Sequence, residues 1–150
     1  MIDAPVDVVK AHRVGRVYPN NGYKNGEWKV AKKLEAKGHR VDPPKSRDYD
    51  LLVDGKIKID VKISNGNQSK NSNTESLINT YYIFSAGDEE KRRKSDFFIC
   101  HIPEHNAWFI IPSKEMFGKR YNEIKFVYPH SGLGPKSMWR KYEDRWDLLK

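Results

Sequence analysis

The chain has 150 residues, of which 37% are hydrophobic, and it carries 28 Lys and Arg against 20 Asp and Glu, a formal net charge of +8. That length suits one compact core, and four Trp, eight Tyr and six Phe can fill it, so disorder throughout is excluded; no apolar run of about 18 residues and no charged-then-apolar start occurs, so neither a membrane span nor a secretory signal is expected. Cys100 as the sole cysteine excludes an internal disulfide and a four-cysteine metal centre within one chain, which points to the cytoplasm, free or nucleoid-associated, and the cationic excess favours nucleic acid as partner.

Residues 1 to 25 read as an N-terminal extension, a short helix followed by a loop at Asn20-Asn21-Gly22. Val30, Ala31 and Leu34 fall at helical spacing and Gly38 stands where a C-terminal cap belongs, which predicts a helix from about Glu27 to Lys37. Lys29, Lys32, Lys33 and Lys37 cover its other sides. Beyond Pro43-Pro44 two apolar runs, Tyr49 to Val53 and Lys56 to Ser64, flank Asp54-Gly55, a dipeptide suited to a hairpin turn. The second run alternates: Ile57, Ile59, Val61 and Ile63 point one way, Lys58, Asp60 and Lys62 the other.

Asn65 to Glu75 is polar almost throughout and reads as a mobile loop. A strand is expected at Thr80 to Ser85, and the six charged residues Glu89 to Lys94 read as an exposed connection. Asp96 to Ile102 and Ala107 to Ile111 form a hairpin around Pro103-Glu104-His105-Asn106; Ser113 caps a short helix through Phe117; Glu123 to Tyr128 is one more strand. After Gly132-Leu133-Gly134-Pro135, Trp139, Tyr142, Trp146 and Leu149 recur at helical spacing, which predicts an amphipathic helix over 136–150 that packs on the core. The whole reads as a single α/β domain with a central mixed sheet flanked by helices.

The chemistry concentrates on the Lys56 to Ser64 strand. Its apolar row can meet the helix while Asp60 and Lys62 stand together on the opposite face. Asp50, across the Asp54-Gly55 hairpin, falls at the neighbouring strand's start, close to Asp60. Two carboxylates brought together repel, and a divalent cation with oxygen ligands relieves that repulsion; magnesium fits best. Glu27 shares a helix face with Val30, Ala31 and Leu34 and can complete the metal's environment. Without a site, Asp60 and Lys62 would be a surface ion pair of about 0–1 kcal/mol, and Glu27 a first-turn acid favoured by the helix dipole. Asp48 is the rival to Asp50. His101 and His105 have zinc-ligand spacing, but that spacing needs a helix, and Pro103 between them argues for strand ends. Cys100, among Ile99 and Ile102, reads as core.

Asp50, a spacing of ten, then Asp60-Val61-Lys62, preceded by a helix opening with Glu27, resembles the PD-(D/E)XK, or restriction-endonuclease-like, nucleases. Asn25-Gly26-Glu27, Ala31-Lys32-Lys33-Leu34, Tyr49-Asp50-Leu51-Leu52-Val53 and Ile59-Asp60-Val61-Lys62 look particularly like the small intron-encoded and phage-type endonucleases of that superfamily. Asp96-Phe97-Phe98-Ile99 and Trp108-Phe109-Ile110-Ile111-Pro112 resemble its later strands, so the likeness spans about Gly26 to Pro112. Tyr49-Asp50 replaces Pro-Asp, Asp60 stands where some small intron endonucleases have Gln, the polar insertion after Ser64 is long, and the first 23 residues lie outside the resemblance.

The resemblance implies a restriction-endonuclease-like core and a metal-dependent endodeoxyribonuclease acting on double-stranded DNA, site-specific in the homing or restriction manner. Catalysis would fall to Asp50, Asp60, Lys62 and Glu27. Mg2+, or Mn2+ in its place, would be held by Asp50, Asp60, Glu27 and the backbone carbonyl of Val61. Lys29, Lys32, Lys33, Gln68, Lys70 and Asn71 are the expected DNA contacts. A core of this size cannot embrace a duplex alone, so a homodimer or larger symmetric assembly is expected. A Holliday-junction resolvase of the same superfamily, and a DNA-binding module without chemistry, are the alternative readings.

Overall fold

A computed structural model describes residues 26–64, 67–68, 80–128 and 135–150. The expected N-terminal helix and loop, and Lys70 and Asn71, lie outside these residues. Helix α1 (Glu27–Ala36) is followed by β1 (Val41–Asp42), β2 (Leu51–Val53) and β3 (Ile57–Ile63). Then come β4 (Asn67–Gln68), β5 (Thr80–Ser85), a four-residue helix α2 (Glu89–Arg92), β6 (Phe97–Ile102), β7 (Ala107–Pro112) and β8 (Glu123–Val127).

Five strands make one mixed sheet in the order β1-β2-β3-β6-β7, in which only the β3–β6 pair is parallel. The β2–β3 hairpin turns at Asp54 and Gly55, both at positive φ (54° and 74°), a conformation Gly adopts without strain and Asp tolerates. Asp54 is further held by the backbone N–H of Arg40 at 2.9 Å and by His39 at 2.7 Å, and these bonds, the Arg40 one first, lower its pKa.

Each face of the sheet is covered, which is why β6 and β7 are apolar almost without interruption. On one face α1 brings Val30, Ala31 and Leu34 against Leu51, Val53, Ile57, Ile59, Ile99 and Ile110. The start of α1 presses on the end of β3: a side chain at Gly26 would meet Ile63 Cδ1 at 2.6 Å. On the other face Phe98, Cys100, Phe109 and Ile111 pack with Tyr82, Phe84 and Ile124.

Those last three belong to a second, antiparallel sheet of order β4-β5-β8, which the linear pattern does not announce. It corrects the expectation of a loop at Asn67 and Gln68, which pair with Tyr81 and Thr80, while the rest of the Asn65 to Glu75 stretch lies outside the described residues. Backbone hydrogen bonds suffice for that pairing and need no apolar side chain.

Three further expectations change. Glu89 to Lys94 is no exposed connection: it contains α2, and the Arg92 side chain is 1% exposed. Its guanidinium donates to the carbonyls of Gly87, Met116, Lys119 and Tyr121 and to Asn122 Oδ1, at 2.6–3.2 Å. Ser113 caps nothing; its hydroxyl pairs with that of Ser95 at 3.1 Å, and residues Ser113–Met116 form a 3-10 turn behind Pro112.

The C-terminal segment is two 3-10 stretches, Pro135–Tyr142 and Trp146–Leu148, in place of one amphipathic helix. It wraps the β7 edge: Glu143 bridges Phe109, and Asp144, at φ 56°, donates its N–H to Trp108 O at 2.9 Å. Trp139 and Tyr142 therefore join the core on one face of the sheet and Leu149 the core on the other. A straight helix shows its stripe to one side only and could not do both. Among the described residues no helix is long and apolar enough to cross a membrane.

Candidate active site

The β2–β3 register pairs Leu51 with Ile59, which sets Asp50, one residue before, opposite Asp60. The Asp50 backbone N–H donates to Ile59 O at 2.8 Å, and its carboxylate Oδ2 accepts from the Val61 N–H at 2.8 Å. Asp50 is thus tied across β3 at both ends. Asp60 lies beside it on the face that the second sheet covers, only 5% exposed, and its carboxyl is hydrogen-bonded to that of Asp50. Lys62, two residues on and on the same face, places Nζ 3.4 Å from Asp60 Oδ2.

This surrounding penalises charge on Asp60. Burial is the main cause and the Asp50 carboxylate adds to it; Lys62, and more weakly Lys91 on α2, act the other way, and the net result pushes the pKa up to about 6. A carboxyl held in that condition gains from any cation that replaces its lost hydration.

Asp48 sits elsewhere. It is exposed, accepts from the Ser46 hydroxyl at 3.2 Å and stands 3.6 Å from Lys94 Nζ. Glu27 opens α1 and is 7% exposed. It belongs to the element that covers the Ile59 face of β3, whereas Asp60 points to the other face. Among the described residues no group of three or more His, Cys, Asp or Glu side chains gathers as a metal cage, so Glu27 does not close a three-carboxylate set with Asp50 and Asp60. Two carboxylates remain, and that donor set fits magnesium, which commonly takes one or two protein carboxylates and fills its other positions from water and phosphate.

Lys29 and Lys32 are exposed on α1 and Lys33 is half-buried. The Gln68 backbone lies in β4, while its side chain is outside the described set. His101 and His105 are parted by the strand end and the Pro103–His105 turn; His101 Nδ1 donates to Ala107 O at 2.9 Å and its ring stacks on Trp108 with centroids 3.7 Å apart. Cys100 is buried, and its burial raises the thiol pKa beyond the physiological range. Sequence reasoning passed over Lys91, whose ammonium acts on Asp60 from 31 positions away in the chain. Nothing in a run of six charged residues singles it out.

No protein-family model and no curated protein matches the chain. Among solved structures it is similar to that of a bacterial homing endonuclease, I-Ssp6803I, with a TM-score of 0.62 over 83% of this chain and 85% of that one at 21% identity. At that identity the likeness is one of fold, and it gives the chain a mixed α/β architecture similar to that of the homing endonuclease.

Proposed function

We propose that the chain is a magnesium-dependent endonuclease of the PD-(D/E)XK type that hydrolyses phosphodiester bonds in double-stranded DNA at specific sites. The observation that carries this reading is the cross-strand cluster of Asp50, buried Asp60 and Lys62. A fold shared with a homing endonuclease and the net charge of +8 support it.

In hydrolysis a water oxygen forms a bond to phosphorus, the bond from phosphorus to the leaving oxygen breaks, and one proton passes from the attacking water to solvent while another reaches the leaving oxygen. Magnesium, or manganese, when bound supplies charge neutralisation at the phosphate and makes a water easier to deprotonate. Asp50 and Asp60 would hold it, with the Val61 carbonyl beside them, while Glu27, at the start of the helix on the other face, stays outside the set. The Val61 N–H bond keeps the Asp50 carboxylate aimed. Lys62 orients the attacking water and offsets the negative charge that grows on the phosphate oxygens. Asp60 keeps its Nζ in place. The protein would act as a homodimer, one site to each strand.

The test is incubation with linear, supercoiled and four-way-junction DNA, with magnesium, manganese or chelator. Cutting of supercoiled and linear duplex with either metal and none with chelator is expected. Binding without cutting would reduce the protein to a DNA-binding module; cutting confined to the junction would make it a resolvase.

The two aspartates separate cleanly in the same assay. Asp50→Asn should lower cleavage by about a hundredfold or more, since the aimed charge is lost while the backbone bonds remain. Asp48→Asn, at an exposed ion pair, should stay within about twofold of the parent. The reverse pattern would place the metal site at Asp48.

A further inference from the structure

We propose that the groove between α1 and the start of β7 is a phosphate subsite that grips the DNA backbone beyond the end of β3, with Asn106 as its neutral donor. The proposal rests on the nuclease reading and adds to it a second grip on the sugar–phosphate strand.

The groove, about 460 Å³, is lined by Trp28, Lys29, Lys32, Lys33, His101, Pro103, Asn106 and Trp108. Its floor is rigid. The His101 ring stacks on Trp108, interplanar angle 18°, and Trp108 meets Trp146 from the C-terminal wrap at 5.8 Å. Above it, Lys33 Nζ stands 5.4 Å over the Trp108 ring. Burial first, and Lys29 and Lys33 with it, lower the His101 pKa against the Ala107 hydrogen bond, which raises it, so the surroundings favour the neutral ring.

The polarity of Asn106 decides what the groove can hold. Its Oδ1 accepts from the Trp108 indole N–H at 3.1 Å, which uses the acceptor end of the amide and turns the NH2 end outward. Asn106 also sits at φ 50°, where the turn after Pro103–His105 closes, so its position is set by the backbone as well. The lining holds no carboxylate and presents three ammonium groups and the Asn106 amide donor. Only an anion with several acceptor oxygens matches such a set, and on a polyanionic partner that is the phosphate backbone.

The groove opens at the same end of β3 as the active lysine. His101 pairs with Ile63 and with Trp108, and Lys62 pairs with Cys100, so groove and lysine share that end of the sheet on opposite faces. A backbone cut at the Asp60–Lys62 face can cross the end of β3 and settle in the groove on the other side.

Binding of a short linear duplex in chelator, over a range of salt, tests this without cleavage. Lys29→Gln with Lys33→Gln should weaken binding at least about tenfold and flatten the salt dependence by about two released counterions. Lys56→Gln with Lys114→Gln, around a cleft at the opposite end of the sheet, removes the same charge and should change affinity less than about twofold. Asn106→Asp keeps the Trp108 bond and tolerates the positive φ but turns the donor into an anion; it should cost about tenfold in affinity with an unchanged melting temperature. Equal effects from the two lysine pairs, or parental binding by Asn106→Asp, would overturn the proposal. Groove-dependent binding in a protein that cuts nothing with magnesium would remove the nuclease reading and keep the groove; cleavage and binding indifferent to the groove variants would do the opposite.

Discussion

Arg92→Met is expected to lower folding stability by about 3–5 kcal/mol, the range for emptying a buried charge site, and to lower the melting temperature by about 10 °C or more. The guanidinium is 1% exposed and reaches four backbone carbonyls and the Asn122 amide oxygen. These acceptors belong to the turns around α2 and to the stretch from Met116 to Asn122, which leads into β8. Methionine fills much of the volume and satisfies none of them, so each carbonyl keeps its desolvation cost. Arg92→Lys should recover less than half of the loss, because one ammonium cannot bond in the divergent directions that a planar fork serves. Thermal melts of the two variants check both statements. A methionine variant within about 1 kcal/mol of the parent would mean that water replaces the guanidinium among those carbonyls. Loosening α2 would also disturb Lys91, which acts on Asp60 from the same helix.

Arg92 marks where the linear sequence stops being informative. In a run of six charged residues it looks like its neighbours, and of those carbonyl and amide acceptors all but that of Gly87 lie 24 to 30 positions further on. The C-terminal stripe misleads for a related reason. Trp139, Tyr142, Trp146 and Leu149 have helical spacing, yet the chain turns at Asp144 and divides them between two faces of the sheet. The Lys56 to Ser64 strand, by contrast, was legible because its period of two, the Asp54-Gly55 turn and the helical pattern of Val30, Ala31 and Leu34 all demand the same placement. Those local signals put Asp50 beside Asp60. They could not reveal the parallel pairing of β3 with β6, or the second sheet built from strands some forty residues apart, and these are what bury Asp60. The residues were readable; their electrostatic condition was not.

That condition leads to the last expected result: Asp60→Asn should abolish metal-dependent cleavage and, in chelator at pH 7, should melt at a higher temperature than the parent. Burial, reinforced by Asp50, raises the native pKa from 3.8 to about 6. The native protein therefore binds this proton more tightly than the unfolded chain does, and stability falls as pH rises from about 4 to about 6. Above that window the ionised carboxylate costs up to about 3 kcal/mol. That cost is already net of the Lys62 attraction at 3.4 Å; asparagine removes the charge but brings an NH2 donor that the site does not provide for, leaving a net gain of about 1–2 kcal/mol, or some 3–6 °C. The difference between variant and parent should shrink as pH is lowered toward 4, where the parent carboxyl is itself neutral. Magnesium should raise the melting temperature of the parent and leave that of the variant nearly unchanged, since a ligand stabilises only the state that binds it. Cleavage should drop by about a thousandfold or more. A variant that melts lower than the parent at pH 7 in chelator would mean that Asp60 and Lys62 form a stabilising ion pair, and the case for a carboxylate kept at energetic cost for catalysis would go with it.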